Sequence, residues 1–73
     1  RMKTFMAYVE WDPETRLYIG YSLVFLAPHT QARTLDELKK NLEEVLALCL
    51  EEMDISPEDL PTFVGIQQIE VSV

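Results

Sequence analysis

Apolar and polar residues alternate along the first part of the chain in the pattern of two β-strands. The alternation runs through residues 3–11, KTFMAYVEW, and again through residues 17–23, LYIGYSL. A period of two residues is the pattern of a strand with one buried face. The segment between them, DPETR, has turn chemistry, because Asp12 precedes Pro13 and polar residues follow. The sequence therefore predicts an antiparallel hairpin.

The chain ends in a further region of alternation, FVGIQQIEVSV, which predicts a closing strand. Polar and apolar residues alternate strictly from Gln68 to Val73, whereas Val64 and Ile66 belong to the opposite parity. One extra residue at Gln67 or Gln68 would bring the apolar side chains to one face, so we expect a β-bulge there. A closing strand needs other strands to pair with, and an edge position would leave its amides free for a second copy.

A helical pattern between these regions predicts one α-helix. Thr34 and Glu37 form a T-x-x-E capping box, in which the Thr34 hydroxyl accepts a hydrogen bond from the amide of Glu37. Apolar residues then recur at helical spacing from Leu35 to Met53 and form one broad stripe. The SPED motif at residues 56–59 predicts a further short helical turn, with proline at its first position.

The segment VFLAPHTQAR, which precedes the helix, has two interpretations. It extends the second strand, or it bends at Ala27-Pro28 and forms a short third strand from His29 to Arg33. The element order is β-β-(β)-α-β, which predicts a two-layer α+β domain with one helix packed on an antiparallel sheet of three to four strands. A length of 73 residues gives room for a single domain, residues 1–73.

The charge distribution excludes one class of partner. The net charge is −7, and the chain from Asn41 onward has eight acidic residues and no lysine or arginine. Phosphate backbones require the opposite charge, so we expect no direct binding of nucleic acid. A basic protein is the natural partner for such a surface. The alternative is that the acidic residues only keep a small domain soluble, and composition leaves both open.

Few residues are available for catalysis or metal binding. Cys49 and His29 are the only cysteine and histidine, so the chain forms no internal disulfide and no zinc site built from such ligands. Buried packing is the expected role of Cys49, and a structural hydrogen bond that of His29. No nucleophile–base pair and no phosphate-binding glycine loop can be assembled. We expect no catalytic residue, no metal and no cofactor.

The sequence also favours a cytoplasmic location. A single free thiol fits a reducing compartment. No apolar run approaches the ~20 residues that span a bilayer, so we expect no membrane association. The strand-like pattern begins too early for a signal peptide. We expect Arg1, which precedes Met2, to be a cloning remnant.

Three motifs resemble the HicB antitoxin family, its short form in particular. They are Y-x-G-Y in the second strand, H-T-Q-A-x-T-L-D-E-L-x-x-N-L-x-E-V-L through the start of the helix, and F-V-G-x-Q-Q-I-E-V at the end. The resemblance covers nearly all of residues 3–73. It implies a partial ribonuclease-H-like fold with a β-sheet and one packed helix, which agrees with the element order above.

The resemblance also implies a function. HicB-like proteins bind and silence HicA, a small basic ribonuclease toxin that cleaves messenger RNA, so this chain would be the antitoxin of a type II toxin–antitoxin system and not itself an enzyme. Longer relatives carry a DNA-binding segment after this domain, whereas this sequence stops at Val73. We therefore expect no DNA-binding domain and carry over no operator binding.

One segment departs from the family pattern. Where relatives usually have a glycine- and proline-rich stretch, residues 22–28 read SLVFLAP and contain no glycine. An apolar segment there favours self-association, and we expect a homodimer through this segment or through the final strand. The candidate self-association residues are Val24, Phe25, Leu26, Ile69 and Val71.

The candidate contact residues for a toxin lie on the helix. On a helical wheel, Leu48 falls away from the apolar stripe and near several carboxylates, which makes it a candidate anchor with an acidic rim. Alternatively, Leu48 is an isolated surface leucine, which is common. The predicted contact residues are Glu43, Glu44, Leu48, Glu51 and Glu52.

The face of the sheet opposite the helix is a second candidate surface. Met6, Tyr8 and Tyr18 share this face if the register of the predicted hairpin holds. Uncovered, they form an exposed aromatic interface. If the helix packs on that face instead, they belong to the core.

Two other functions stay open. A toxin-less oligomeric module of the same fold would bind another basic protein or a small ligand. A weak metal-dependent nuclease would use Glu10 and Asp12, although no third acid is clearly placed beside them.

Overall fold

The computed structural model describes residues 4–23, 29–54 and 56–73. It shows an antiparallel sheet of three strands in the order β1-β2-β3, followed by one helix that packs on the sheet. The elements are β1 (Ala7–Asp12), β2 (Leu17–Ser22), β3 (His29–Ala32), α1 (Leu35–Met53) and a 3₁₀ turn (Pro57–Asp59). The predicted α+β class is confirmed. Of the two interpretations of the segment before the helix, the short third strand is confirmed.

The turn between β1 and β2 sets the register of the hairpin. Its four residues, 13–16, follow Asp12 directly. Both carboxylate oxygens of Asp12 accept hydrogen bonds within the turn, one from the Glu14 amide and one from the Thr15 hydroxyl, each at 3.0 Å. The Arg16 amide donates to the Asp12 carbonyl at 2.8 Å, and Arg16 has a left-handed backbone with a φ of 61°. These bonds stabilise the turn and thereby the register.

That register places the apolar residues of the two strands on opposite faces of the sheet. Because the turn has an even number of residues, odd positions of β1 pair with even positions of β2, as in Val9 with Gly20 and Trp11 with Tyr18. Tyr18 therefore lies on the helix side, where it packs against the core, and its ring centroid is 4.8 Å from that of Trp11. The expectation that Tyr18 shares the outer face with Tyr8 is wrong, because the observed register pairs Tyr18 with Trp11.

The core forms where α1 packs on β2 and β3. Leu38 and Leu42, one helical turn apart, are buried together with Ala32 of β3. Gly20 of β2 lies beneath the two leucines. A Cβ atom at Gly20 would be 3.0 Å from Leu42 Cδ1 and 3.3 Å from both methyl groups of Leu38. The helix approaches β2 this closely because glycine has no side chain to displace it.

Helix α1 begins as its capping box predicts. Thr34 has an extended backbone, and its hydroxyl accepts a hydrogen bond from the Glu37 amide at 3.1 Å. At the other end Asp54 is the C-cap, with a left-handed backbone of φ 50°, and its amide donates to the Glu51 carbonyl at 3.4 Å. The left-handed conformation ends the helix and satisfies one of its terminal carbonyl groups.

The apolar stripe of α1 is covered only in part. Leu38 and Leu42 are buried, whereas Leu35 and Met53 at the two ends are exposed. A helix of 19 residues is about 28 Å long, and three short strands cover only part of that length. The stripe residues in the second half of the helix are half-buried, namely Val45, Leu46, Cys49 and Leu50.

The closing strand predicted at the end of the chain is not formed. Residues 61–73 belong to no strand or helix, and all of them are exposed. The radius of gyration is 14.1 Å, whereas a compact domain of 73 residues has roughly 11 Å. Alternation specifies which side chains share a face, but it does not supply a strand edge to pair with. The predicted bulge at Gln67 or Gln68 consequently has no partner strand here.

Candidate functional site

One exposed surface of α1 combines acidic side chains with a large apolar one. Glu44, Leu48, Glu51 and Glu52 stand at positions i, i+4, i+7 and i+8 and therefore share one side of the helix. All four side chains are exposed, and Leu48 is 57% exposed. These four residues are the acidic helix surface, which lies on a flank of α1 that the sheet does not cover.

The structure does not bring all five predicted contact residues together. Glu43 is exposed, but at about 100° per residue it lies about 140° around the helix from Leu48. A partner centred on Leu48 would contact Glu44 and the following acidic residues before it reached Glu43. The predicted set therefore separates into the acidic helix surface and an isolated Glu43.

These carboxylates are unfavourably placed for the isolated helix. Glu51 and Glu52 lie in the last turn, where the helix dipole is negative, and that turn contains no basic residue. Asp54 adds a third carboxylate at the C-cap, in a left-handed conformation that glycine adopts more readily. A cation bound at this end of the helix would relieve the repulsion. The repulsion at this helix end would thus be smaller with a cationic group bound than in the isolated protein.

The face of the sheet opposite α1 carries a row of rings across all three strands. Tyr8 of β1 and Tyr21 of β2 have ring centroids 6.2 Å apart, and Tyr21 is 5.4 Å from His29 of β3. Tyr8 and His29 are exposed and Tyr21 is half-buried. The sequence predicted Tyr8 on this face but not Tyr21 or His29. Their positions follow from the strand register, which pairs Tyr21 with Tyr8 and with His29. We refer to these three residues as the aromatic row.

Tyr21 is coupled electrostatically to Glu10. Partial burial raises the pKa of Tyr21 above its ordinary value, and the carboxylate of Glu10 raises this pKa further, through its charge and by accepting a hydrogen bond from the hydroxyl. A raised pKa favours the neutral phenol. Tyr21 is therefore a neutral phenol that donates its hydroxyl proton to a hydrogen bond with Glu10.

The outer face of the sheet does not assemble a metal centre from the acids that sequence reasoning considered. Glu10 and Asp12 both lie on that face, but the two carboxylate oxygens of Asp12 already accept hydrogen bonds in the turn. Within residues 4–23, 29–54 and 56–73, no group of three or more histidine, cysteine, aspartate or glutamate side chains could hold a metal ion.

Two curated relatives match the chain over nearly its whole length. A UPF0150 protein of Thermotoga maritima is 41% identical over 69 residues, which are 94% of this chain and 91% of the relative. A UPF0150 protein of Synechocystis sp. is 40% identical over 67 residues, which are 92% of this chain and 93% of the relative. The chain belongs to the UPF0150 family.

Membership of the UPF0150 family shows common ancestry and does not by itself state an activity. The names of the two relatives state neither an activity nor a partner. No family model matches the chain, and no solved structure matches it significantly. The resemblance to HicB antitoxins and the ribonuclease-H-like fold that it implies therefore stay predictions.

The predicted self-association residues of this UPF0150 chain lie in two different segments. Ile69 and Val71 lie in the exposed C-terminal segment and are 76% and 72% exposed. Val24, Phe25 and Leu26 lie outside the described residues. In the described ranges, no helix has the length and hydropathy needed to traverse a bilayer.

Proposed function

We propose that this UPF0150 protein is a binding protein, without enzyme activity, that holds a small basic protein on its acidic helix surface. The resemblance to HicB antitoxins supplies the class of partner, a HicA-type ribonuclease toxin that cleaves messenger RNA. The function is then that of an antitoxin in a type II toxin–antitoxin system. No cofactor takes part, and the chain silences its partner by binding alone.

The exposure of Leu48 among three carboxylates is the observation that carries this proposal. Binding energy at protein interfaces concentrates in a few large side chains near the centre, surrounded by a polar rim. Leu48 would supply the central apolar contact, and the carboxylates of the acidic helix surface would supply the rim. Solubility alone would account for the carboxylates, and the titration described below distinguishes a central contact at Leu48 from an isolated surface leucine.

Inhibition follows from occupancy and charge. A ribonuclease must present cationic groups to the phosphates of its substrate. The acidic helix surface would bind such cations and exclude RNA from them. Attraction between opposite charges accelerates association, and it weakens as added salt shortens the screening length from about 10 Å at 0.1 M to about 3 Å at 1 M.

The direct test is a calorimetric titration of this chain with the small basic protein encoded next to it. We expect tight binding at about 0.1 M salt, where charges act over roughly 10 Å. Leu48→Ser removes the central contact and should weaken the affinity more than tenfold, as for other central anchors. The double variant Glu44→Gln/Glu51→Gln should weaken it about tenfold at 0.1 M salt and less at 1 M.

A matched control separates a defined site from net charge. The double variant Glu14→Gln/Asp59→Asn removes the same charge from exposed positions outside the acidic helix surface and should bind as the wild type does. Equal weakening by both double variants would contradict the proposed site. If the neighbouring protein does not bind at all, the toxin-less module becomes the better interpretation. Metal-dependent RNA cleavage that Glu10→Gln abolishes would instead support a nuclease.

A further inference from the structure

The C-terminal segment has the side-chain pattern of a strand and no strand to pair with in this structure. Its residues are exposed without exception from 61 to 73. Large apolar side chains at full exposure are unfavourable in water, and a contiguous set of them marks an interaction surface. In the last six residues the alternating faces are Gln68, Glu70 and Ser72 on one side and Ile69, Val71 and Val73 on the other.

Strand β1 offers a free edge whose protection against pairing is limited to two carboxylates, Glu10 and Asp12. It forms one border of the sheet, and its six residues, AYVEWD, include no proline, lysine or arginine. Tyr8, Val9 and Trp11 are between 43% and 48% exposed, so apolar surface flanks this edge on both faces. A long apolar edge of this kind pairs readily with another strand. The other border, β3, has only four residues.

We propose that two copies of this chain form a dimer by exchanging their C-terminal segments. Residues 68–73 of each copy add as a fourth strand to the free edge of β1 in the other copy. The inference goes beyond the proposed function, because it concerns the β1 edge and the C-terminal segment and leaves the acidic helix surface available.

The faces of the two strands are compatible. The incoming segment supplies six residues, and β1 is six residues long. Val9 and Trp11 lie on the helix side of the sheet, next to the position that Ile69, Val71 and Val73 would take. The polar face of the segment then joins the outer face, where Glu70 has the same charge as Glu10 and Asp12, so the apolar face and the main-chain hydrogen bonds must supply the attraction. The apolar side chains of the segment would then contact Val9 and Trp11, which α1 leaves exposed because it packs on β2 and β3.

The occupant of the edge is a second copy because the chain itself supplies both halves of the contact. Each copy has one C-terminal segment with a strand pattern and one free β1 edge. A reciprocal exchange about a twofold axis therefore pairs both segments and both edges. In this structure the segment lies away from the packed part of its own chain, as the large radius of gyration also indicates. Strand addition is a common mode of recognition, since the main chain provides the hydrogen bonds.

The first test measures the mass in solution of the wild type and of two neighbouring lysine variants. The chain has a mass of 8.5 kDa, and we expect the wild type at twice that mass in light scattering. Val71→Lys replaces an apolar side chain with an ammonium group and should raise the dissociation constant about tenfold, because the apolar contact with Val9 and Trp11 is lost. Ser72→Lys makes the same charge change on the polar face and should remain dimeric.

We expect both lysine variants to fold, so a difference in their mass in solution reports on dimerisation. Val71 and Ser72 are both exposed and lie outside every strand and helix, so neither substitution disturbs the packed part of the chain. Circular dichroism should therefore show the same helix content in both variants. A wild type that is monomeric at concentrations of about 100 μM, where micromolar dimers are fully formed, would overturn the proposal.

The second test distinguishes strand exchange from other dimers. In mixed dimers of one isotope-labelled and one unlabelled copy, nuclear Overhauser effects should connect the β1 amides of Val9 and Trp11 in one copy with the Val71 methyl groups of the other. Contacts confined to one copy would show that the segment returns to its own sheet. A Val71→Lys variant that remains as dimeric as the wild type would show that another surface, such as the aromatic row, forms the dimer. Either result would overturn strand exchange.

Discussion

Gly20 is the residue at which one added methyl group should have the clearest effect. A Cβ atom there would lie 3.0 Å from Leu42 Cδ1 and 3.3 Å from both methyl groups of Leu38, so both leucines would have to move. Added volume in a packed core typically costs about 1–3 kcal/mol. We expect Gly20→Ala to lower the free energy of unfolding by about 1 kcal/mol, measured by urea denaturation at fixed protein concentration.

The second glycine of the chain provides the matched control. A Cβ atom at Gly65 would meet nothing within 4 Å. Gly65→Ala should therefore leave the free energy of unfolding within about 0.5 kcal/mol of the wild type, as for other surface substitutions. Equal effects of the two substitutions would mean that the close approach of α1 to β2 does not limit stability.

Individual contacts were predictable from the sequence only where they depend on local spacing. The bond from the Glu37 amide to the Thr34 hydroxyl follows from a three-residue separation, and the structure contains it. The face occupied by Tyr18 depends on the parity of the turn, which the alternation within each strand does not reveal. The contact of Tyr21 with His29 joins two strands whose register is set elsewhere, so residue spacing could not indicate it.

In helix α1, acidic side chains stabilise the first turn and destabilise the last turn through the helix dipole. Asp36 and Glu37 lie in the first turn, where the dipole favours acidic groups, and Glu51 and Glu52 lie in the last, where it opposes them. Neutralising Glu51 and Glu52 should therefore raise the free energy of unfolding by about 0.3–1 kcal/mol per residue at low salt. The same substitutions should weaken binding of a basic partner, and thermal unfolding together with titration measures both effects.

The opposite end of the same helix is the control for this prediction. Asp36→Asn removes one charge from the first turn and should lower the free energy of unfolding by a similar amount, about 0.3–1 kcal/mol. Stabilisation by both kinds of substitution would show that total negative charge, and not the dipole, sets the effect. No change in partner binding after neutralisation of Glu51 and Glu52 would contradict the acidic helix surface as the site.

Among the elements, the hairpin and the helix were predictable and the closing strand was not. The hairpin is indicated by two alternating segments around a polar turn, and the helix by an apolar stripe after a capping residue. Both patterns involve only residues that are close in sequence. A strand is completed only by an edge, which other elements or other chains supply. The acidic helix surface was predictable for the same local reason, because helical spacing brings Leu48 beside Glu44. Glu43 was predicted in the same set, but it lies about 140° around the helix from Leu48.

For the whole molecule, the main feature is a core that is small for the number of apolar residues. In the described ranges the buried hydrophobic residues are Ala32, Leu38 and Leu42. Domains near this size bury only about 60% of the surface of the unfolded chain and are marginal without further support. Strand exchange would add support from a second copy, while the acidic helix surface would remain open to a basic partner.

If the chain is stabilised by strand exchange, its unfolding temperature must depend on protein concentration. Unfolding of a dimer releases two chains, so a tenfold rise in concentration favours the folded state by about 1.4 kcal/mol per dimer. With typical unfolding entropies, this corresponds to a rise of about 3–6 °C in Tm per tenfold in concentration. Differential scanning calorimetry from about 10 to 500 μM, on either side of micromolar affinity, measures the slope.

Variants of the C-terminal segment locate the source of that slope. Removal of residues 68–73 deletes the exchanged strand and should leave a Tm that no longer depends on concentration, because the remaining chain unfolds as a monomer. Ser72→Lys, which preserves the apolar face, should keep the wild-type slope. A slope that survives the deletion would assign the dimer to another surface, whereas a wild type without any slope would show that the three strands and the helix are stable alone.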